Sequence, residues 1–246
     1  MKISVVTAVF NRRDTIGQAV QSVYAQGHDD IEHIIQDGGS TDGTLDVVRT
    51  HATASTDLVS EPDGGIYDAI NRGIRRASGD VVGVMHSDDF FASDGVLSKV
   101  ASAFEDPTVD GVYGDLHYVA AHDTSRVLRR WESGSYDRSK LRWGWMPPHP
   151  TFYMRRHYFD ELGLYDTKLR IAADYDAMLR YFVKGGIRLD YIPEVMVCMR
   201  TGGASNGSLK RIIRKSREDY RAIRRNKIGG LGTLAAKNFS KVTQFL

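Results

Sequence analysis

Cysteine, proline and long apolar runs are all scarce in this sequence. Its 246 residues include one cysteine, Cys198, and six prolines, which excludes an intrachain disulfide and a cysteine-rich zinc site. No apolar stretch approaches the roughly 20 residues that a membrane-spanning helix needs. The apolar run 3–10 is too short for a secretory signal peptide. We therefore expect a globular protein in the reducing environment of the cytoplasm.

Charge is distributed unevenly along the chain. The net charge is +2, yet residues 208–246 hold eleven of the 33 Lys/Arg and two of the 31 Asp/Glu, so this tail carries +9 and residues 1–207 carry −7. An acidic body joined to a basic tail indicates two roles in one chain. We therefore divide the chain into a body, 1–207, and a basic helical tail, 208–246.

Strand and helix patterns alternate in the first half of the body. The predicted order is strand 3–9, a helix ending near 26, strand 32–36, helix 44–51, strand 58–60, helix 67–77 and strand 81–85. This order favours an α/β fold with a mainly parallel sheet between layers of helices. Ligands bind such sheets beyond the carboxyl ends of the strands, and the segments rich in Gly and Asp all fall there.

The second half has a less regular pattern. We expect a helix over 94–104, a strand near 111–113, a long polar stretch over 117–142, a strand over 151–154, a helix over 173–184 and a tail helix over 209–226. The pattern contains no internal repeat.

Two adjacent carboxylates, Asp88 and Asp89, directly follow the fourth strand pattern. Such a pair repels itself, so a hard divalent cation with bound phosphates is a natural partner. A solvated turn or helix cap is the alternative, since Asp is common in turns.

Two further polar loops, 37–43 and 61–65, follow the second and third strand patterns. Neither has the spacing of a dinucleotide fingerprint or of a Walker A loop. Each either lets the backbone approach a nucleotide or simply connects a strand to a capped helix. The convergence of three Asp-bearing loops on one sheet edge favours a ligand site.

Taken together, these motifs make residues 1–200 resemble glycosyltransferase family 2, whose members have the GT-A fold. Within that family the sequence looks most like bacterial exopolysaccharide enzymes of the colanic-acid type. The segments that carry the resemblance are 5–11, 37–44, 61–71, 87–89, 149–150, 163–166 and 171–180.

The resemblance implies a nucleotide-sugar-binding half, 1–115, and an acceptor-binding half, 116–207. It implies a Mn²⁺ or Mg²⁺ ion held at Asp89 and Asp88, with Asp89 the more direct ligand and Asp88 also near the donor's ribose or sugar. The ion would act as a Lewis acid on the leaving diphosphate. The implied donor-binding residues are Thr7 and Asn11 beside the nucleotide, Asp37 and Asp63 at the uracil and ribose, and Tyr67 and Asn71 of the same motif. For Tyr67 and Asn71, a helix face turned to the core is the alternative.

Asp174 matches the position at which the family places its catalytic base. An inverting transfer needs such a base to remove the proton of the attacking acceptor hydroxyl. Asp176 lies roughly 200° further around a helix, so we interpret it as structural or as a partner of Arg180, four residues later. Where many relatives have a carboxylate before the base, this chain has Ala173.

Several aromatic residues and histidines lie near the expected acceptor mouth. The resemblance and their flat surfaces suggest that His149 and Trp145 contact the acceptor or the diphosphate, with core packing as an equal alternative. His86 stands where many relatives have Asp or Asn. We favour a packed histidine there over one that approaches the diphosphate.

The tail combines basic and apolar positions at helical spacing. Beyond Gly230, the apolar positions are Leu231, Leu234, Ala235, Phe239, Val242, Phe245 and Leu246. This pattern is typical of a helix anchored on an anionic membrane surface. A basic helix packed on the acidic body is the alternative, and nucleic acid is disfavoured because no binding module accompanies the charge.

The resemblance implies an inverting, metal-dependent glycosyltransferase that acts in cell-surface polysaccharide biosynthesis. We expect a UDP-sugar donor, a glycan or lipid-linked saccharide acceptor, and a peripheral position on the inner face of the cell membrane, and we leave a homo-oligomer open. The alternatives are a sugar nucleotidyltransferase and a non-catalytic protein that uses the tail to bind membrane or nucleic acid.

Overall fold

One mixed sheet of nine strands organises the part of the chain that the computed structural model describes, residues 1–202 and 209–239. The strands are β1 (Ile3–Val9), β2 (Ile31–Asp37), β3 (Thr56–Ser60), β4 (Val81–Val84), β5 (Phe90–Phe91), β6 (Gly111–Val119), β7 (Val127–Trp131), β8 (Tyr153–Arg155) and β9 (Leu189–Arg200). Their order across the sheet is β3-β2-β1-β4-β8-β6-β9-β5, with β7 paired to β6. Strands β5, β7 and β8 each run antiparallel to their partners, and the other pairs are parallel. The predicted α/β fold with a mainly parallel sheet is confirmed.

Helices cover both faces of the sheet. They are α1 (Arg13–Tyr24), α2 (Thr44–His51), α3 (Ile66–Arg76), α4 (Val96–Ala103), α5 (His157–Leu162), α6 (Ala173–Arg180), α7 (Leu209–Arg225) and α8 (Leu231–Phe239). One core cluster joins the sheet to α3, α5, α6 and α7, and two others join it to α1, α2 and α4. The sheet is therefore the middle of three layers.

Strand β1 is buried along its whole length because both of its faces are covered. Val6 packs in the cluster with α3, whereas Val5 packs in the cluster with α4. A Cβ atom on Gly73 of α3 would lie 2.4 Å from Cγ1 of Val6. Glycine at this position lets α3 approach the sheet closely.

The main difference from the predicted elements is strand β9, which the sequence pattern did not reveal. Pro193 lies inside it, and proline within a run argues against a strand. The register with β6 passes from Tyr113–Tyr191 to Asp115–Val195, so Pro193 sits in a bulge where no regular ladder bond is required. The predicted polar stretch 117–142 likewise contains the end of β6 and all of β7, which pair as a hairpin.

The described part of the tail packs on the body. Ala222 and Ile223 of α7 are buried in the core cluster that also contains α6. Helix α8 lies so close to Gly144 that a Cβ there would be 2.4 Å from the Cα of Lys237. Residues 240–246, with Val242, Phe245 and Leu246 of the predicted apolar stripe, lie outside the described residues.

No helix among the described residues is both long enough and apolar enough to cross a membrane.

Candidate active site

The loops that follow β1, β2 and β3 meet at the carboxyl edge of the sheet. Asn11, in a left-handed conformation with φ +50°, accepts a hydrogen bond from the Thr41 N–H at 3.0 Å. Asp63 lies against the second loop, because a Cβ on Gly38 would be 2.7 Å from its Oδ2. Half-buried Asp63 also accepts the Gly65 N–H at 2.7 Å. The loops after β1, β2 and β3 therefore form one polar surface, and two of them are the Asp-bearing loops 37–43 and 61–65 that were predicted at this edge.

Asp37 organises the loop that follows β2. Its side chain is fully buried, and its Oδ2 accepts the N–H groups of Gly39 and Ser40, each at 2.9 Å. The Ser60 hydroxyl donates to the same oxygen at 2.7 Å, and the Ser40 hydroxyl donates to Oδ1. The structure thus places this carboxylate inside the loop, and its predicted contact with the uracil or ribose stays a prediction.

Thr7 also lies inside the sheet rather than on its edge. It is fully buried on β1, and its hydroxyl pairs with Nε2 of His33 on β2 at 3.0 Å. Burial lowers the pKa of His33 to about 3, so the ring is neutral near pH 7. The predicted role of Thr7 beside the nucleotide is not tested by this contact.

Asn71 holds a distant segment of backbone. Its Nδ2 donates to the Tyr165 carbonyl at 2.8 Å, and its Oδ1 accepts the Tyr165 N–H at 3.0 Å. The side chain is 3% exposed. This arrangement matches the alternative in which the helix face of Asn71 is turned to the core.

Asp88 and Asp89 stand where β4 ends, as predicted, and β9 brings Arg200 to them. Asp89 is 1% exposed, and its Oδ1 accepts the Arg200 N–H at 3.2 Å. The Arg200 guanidinium donates to the Asp88 carbonyl oxygen. Burial and the neighbouring charge of Asp88 raise the pKa of Asp89 well above its usual range.

The carboxylate oxygens of Asp88 and Asp89 are suited to bind a divalent cation. Among the described residues, Oδ2 of Asp89 is buried without a hydrogen-bond partner, while Asp88 is half-buried. No group of three or more His, Cys, Asp or Glu side chains gathers as a metal site in that same part of the chain. Two carboxylates completed by phosphate oxygens and water are a usual ligand set for Mg²⁺, so the residues suit an ion that arrives with a diphosphate.

Asp174 lies in the first turn of α6, where the helix dipole favours a negative charge. The Tyr67 hydroxyl donates to Asp174 Oδ1 at 3.2 Å and to the Ile171 carbonyl at 2.9 Å. Burial and the Asp174 charge raise the pKa of Tyr67 well above its usual range, so Tyr67 remains a hydrogen-bond donor. Tyr67 therefore holds Asp174, the acid predicted to be the base. Its predicted contact with the nucleotide-sugar donor stays a prediction.

Contacts of two histidines link the segment after β4 to the tyrosines around Asp174. The rings of His86 and His149 have centroids 5.6 Å apart. Burial lowers the pKa of His86, and the charges of Asp88 and Asp174 oppose that shift. The His86 carbonyl accepts the Asp89 N–H at 3.1 Å, and the ring of Tyr67, whose hydroxyl bonds Asp174, stacks on Tyr165 with centroids 5.9 Å apart.

His149 is held in this cluster by a hydrogen bond. Its Nε2 lies 2.8 Å from the Tyr165 hydroxyl, and it is 9% exposed. Burial lowers the pKa of His149 to about 4, against the opposing charge of Asp174. A neutral imidazole therefore faces the site.

Trp145 has different neighbours. Its Nε1 donates to the Ser133 carbonyl at 2.8 Å, and its ring packs against Tyr113 and Tyr136 with centroids 5.7 and 5.6 Å apart. These contacts match the core-packing alternative.

The interpretation of Asp176 as a partner of Arg180 is wrong. Arg180 donates instead to the carbonyl groups of residues 162–164. Buried Asp176 accepts from Nδ2 of Asn226 at 3.1 Å and lies 3.5 Å from the Arg225 guanidinium. Both partners belong to the tail. Asp176 therefore has a structural role, which was the other possibility given for it from the sequence.

Sequence reasoning missed three residues of this site: Arg200, Tyr165 and Glu218. Arg200 was missed together with β9, and Tyr165 lay in a motif that assigned it no role. Glu218 accepts backbone N–H groups just before α6. Its signal was available, because Glu218 and Asp219 are the only acidic residues of the basic tail.

Known protein sequences are similar to this chain. A family described as "Glycosyl transferase family 2" matches residues 4–171. A "PGL/p-HBAD biosynthesis glycosyltransferase" of Mycobacterium bovis is 30% identical over 208 residues, covering 82% of this chain and 78% of the relative. An "Uncharacterized glycosyltransferase" of Mycobacterium tuberculosis is 32% identical over 186 residues, covering 72% and 68%.

Solved structures share the fold at lower sequence identity. S. aureus TarS 1–349 in complex with UDP-GlcNAc superposes with a TM-score of 0.68 at 16% identity, over 92% of this chain and 65% of that chain. The mannosyltransferase PcManGT from Pyrobaculum calidifontis, in complex with GDP-Man and Mn²⁺, gives 0.68 at 19% identity, over 97% and 69%. The chain spans 43% of the longer solved TarS chain. At these identities the likeness shows the fold alone.

Proposed function

Because the chain belongs to glycosyltransferase family 2, we propose that it performs an inverting, metal-dependent transfer from a nucleotide-sugar donor to a saccharide acceptor. The observation that carries the proposal is the chain of contacts that runs from Asp89 through His86, His149, Tyr165 and Tyr67 to Asp174. It supports a single site that combines a cation-binding carboxylate with a base. Family membership sets aside the nucleotidyltransferase and the non-catalytic alternatives.

Asp174 is the general base in this proposal. Its carboxylate takes the proton of the acceptor hydroxyl while that oxygen attacks the anomeric carbon opposite the diphosphate. Tyr67 fixes Oδ1 of the base, which leaves Oδ2 for the acceptor hydroxyl. The ring of His149 would lie beside the acceptor hydroxyl. Because this ring is neutral, it would not form an ion pair with Asp174.

Asp89 and Asp88 would hold the cation. When bound, Mn²⁺ or Mg²⁺ supplies Lewis-acid stabilisation of the leaving diphosphate. The unpartnered buried oxygen of Asp89 supports this assignment, as does the Mn²⁺ in the complex of the similarly folded PcManGT.

We favour a UDP-linked sugar as the donor. The structures of TarS with UDP and with UDP-GlcNAc support uridine, whereas PcManGT is complexed with GDP-Man. The proposed acceptor is a glycan or lipid-linked saccharide of cell-surface polysaccharide biosynthesis. The printed name of the Mycobacterium bovis relative, which places it in PGL/p-HBAD biosynthesis, supports a biosynthetic transfer.

The tail would hold the enzyme on the inner face of the cell membrane. Ile212 and Ile213 of α7 are 58% and 53% exposed among basic neighbours, and Leu231 and Phe239 of α8 are 70% and 74% exposed. Exposed apolar side chains among cations are suited to an anionic lipid surface.

The decisive test of the base is Asp174→Asn. We expect transfer to fall by about 10²- to 10⁴-fold, with unchanged affinity for the donor nucleotide, because the amide cannot accept the hydroxyl proton. Asp176→Asn is the matched control, since Asp176 lies two residues away on the same helix and contacts the tail. Transfer by Asp174→Asn at the level of this control would refute the assignment.

Thermal shifts with UDP and GDP species, in Mn²⁺, Mg²⁺ or EDTA, test the donor and the ion. A ligand that binds only the folded state raises its apparent stability. We expect UDP species to stabilise the wild type when metal is present and not to stabilise Asp89→Asn. Equal stabilisation in EDTA would count against the metal, and a response to GDP species alone would count against uridine.

Vesicle sedimentation tests the tail. We expect binding to phosphatidylglycerol vesicles, little binding to phosphatidylcholine vesicles, and weaker binding of the Ile212→Ser, Ile213→Ser double variant. A wild type that fails to sediment with anionic vesicles would exclude the membrane role and leave the transfer reaction unaffected.

A further inference from the structure

A buried carboxylate of the tail faces the segment that leads into the candidate base. Glu218 of α7 is 5% exposed. It accepts the N–H groups of Arg170, Ile171 and Ala172 at 3.2, 2.8 and 3.0 Å. These three residues immediately precede α6, in which Asp174 occupies the first turn.

Glu218 supplies a hydrogen-bond acceptor that the residues at the start of α6 lack. Ala172 is the residue that caps α6, and it has no side chain able to accept a hydrogen bond. In a capping box, the third helical residue is a Glu or Gln that accepts the N–H of the capping residue. That residue is Tyr175 here, which has no such group, and Glu218 accepts the Ala172 N–H from 46 residues away.

The opposite side of the same segment is held by α3. The Tyr67 hydroxyl donates to the Ile171 carbonyl and to Asp174. The Ile171 peptide units are thus bonded to Glu218 through N–H and to Tyr67 through C=O. This pair of contacts fixes both the position of the helix start and the direction of the base.

We propose that Glu218 is a positioning residue for Asp174, so that the basic tail is part of the catalytic unit. The inference rests on the proposed role of Asp174 as the base. Hydrogen bonds to an ionised carboxylate are stronger than neutral ones, and truncation of Glu218 leaves three N–H groups without their acceptor. A misplacement of about 1 Å at a catalytic group costs as much as 10²-fold in rate.

The test compares Glu218→Ala and Glu218→Gln with Asp219→Asn. Asp219 is the adjacent residue on α7 and is equally buried, but it pairs with Lys215 and Lys237 of the tail itself. We expect Glu218→Ala to lower kcat by about tenfold or more with unchanged affinity for the donor nucleotide. Glu218→Gln keeps an acceptor oxygen and should recover part of the rate, while Asp219→Asn should keep the wild-type kcat.

A double variant separates positioning from general stabilisation. If Glu218 acts through Asp174, adding Glu218→Gln to Asp174→Asn lowers the residual transfer rate no further, because residues that act as a unit are not additive. Multiplicative losses would overturn the proposal. If Glu218→Ala does not fold, as judged by circular dichroism, Glu218→Gln and the double variant decide the question.

The same experiment distinguishes two failures. Wild-type transfer by Asp174→Asn would show that the proposed base is wrong. Loss of transfer in Asp174→Asn together with equal kcat values for Glu218→Ala and Asp219→Asn would show that the base is right and that Glu218 does not position it.

Discussion

The loops after β1, β2 and β3, which form the proposed donor side, and the segment before α6 are held by contacts of different range along the chain. Asp37 bonds to residues two to 23 positions away, and Asn11 bonds to a residue 30 positions away. Ile171, Ala172 and Asp174 are instead held by Tyr67 and Glu218, which lie 46 to 107 residues distant. The donor-side surface is built from neighbouring βα loops, whereas the candidate base is held between α3 and the tail.

Substitutions in these two regions should therefore have different effects. A change in a donor-side loop should alter the polar surface of that loop and leave α6 in place. A change in a distant contact of α6 should alter the rate of transfer while the donor-side surface persists. Substitutions in the two regions can therefore be compared by donor affinity and by kcat.

The largest expected effect belongs to Asp37→Ala. The substitution leaves the N–H groups of Gly39 and Ser40 and the hydroxyls of Ser40 and Ser60 without their acceptor. An unsatisfied buried donor costs about 1–3 kcal/mol, so we expect the free energy of unfolding to fall by about 3 kcal/mol or more, with loss of donor binding. Urea unfolding and nucleotide titration measure the two effects.

Asp63→Asn is the control for that prediction. Its amide oxygen can still accept the Gly65 N–H, and the side chain is only half-buried, so the expected loss is below about 1 kcal/mol. Equal losses for the two variants would mean that burial of Asp37 does not govern this loop.

Asn71→Ala should have the next largest effect. It removes both hydrogen bonds to the Tyr165 backbone and leaves a buried N–H and C=O unpaired, which we expect to cost about 2 kcal/mol. Because Tyr165 bonds His149, kcat should fall more than donor affinity. Weaker donor binding at unchanged stability would instead support the donor contact predicted from the sequence.

The effect that is smallest near pH 7 concerns the acid sensitivity of the sheet at His33 of β2. Burial lowers the pKa of His33 from 6.5 to about 3, so between these values the unfolded chain binds a proton that the folded protein does not. Stability is therefore full above about pH 6.5 and falls as the pH drops toward 3, by about 1.4 kcal/mol per pH unit from this residue. His149, with a pKa of about 4, contributes in the same direction.

His33→Gln should reduce that slope. Glutamine is uncharged over this range and can still pair with Thr7, so urea unfolding at several pH values between 7 and 5 should show a flatter decline than in the wild type. Identical declines would indicate that His33 does not carry the acid sensitivity.

Much of the architecture follows from patterns that the sequence displays directly. The continuous apolar run of β1, the amphipathic spacing of α3 and the polar residues after β4 each reflect local preference and burial. Asp88, Asp89 and Asp174 were chosen from motifs, and in the structure contacts through His86, His149 and Tyr165 link the segments that carry them. Strand β9 was not predicted, because Pro193 hides a strand whose pairing depends on a bulge.

The amino-acid sequence by itself determined the α/β order, the family and the acids that face the sheet edge, since these depend on short-range periodicity and motif spacing. Only the tertiary structure decided that Asp37 and Asn71 are buried hydrogen-bond centres, that Asp176 pairs with the tail, and that Glu218 caps the start of α6. The physical reason is that an unpaired buried polar group is costly, and the partner that satisfies it is set by which distant segments meet in space.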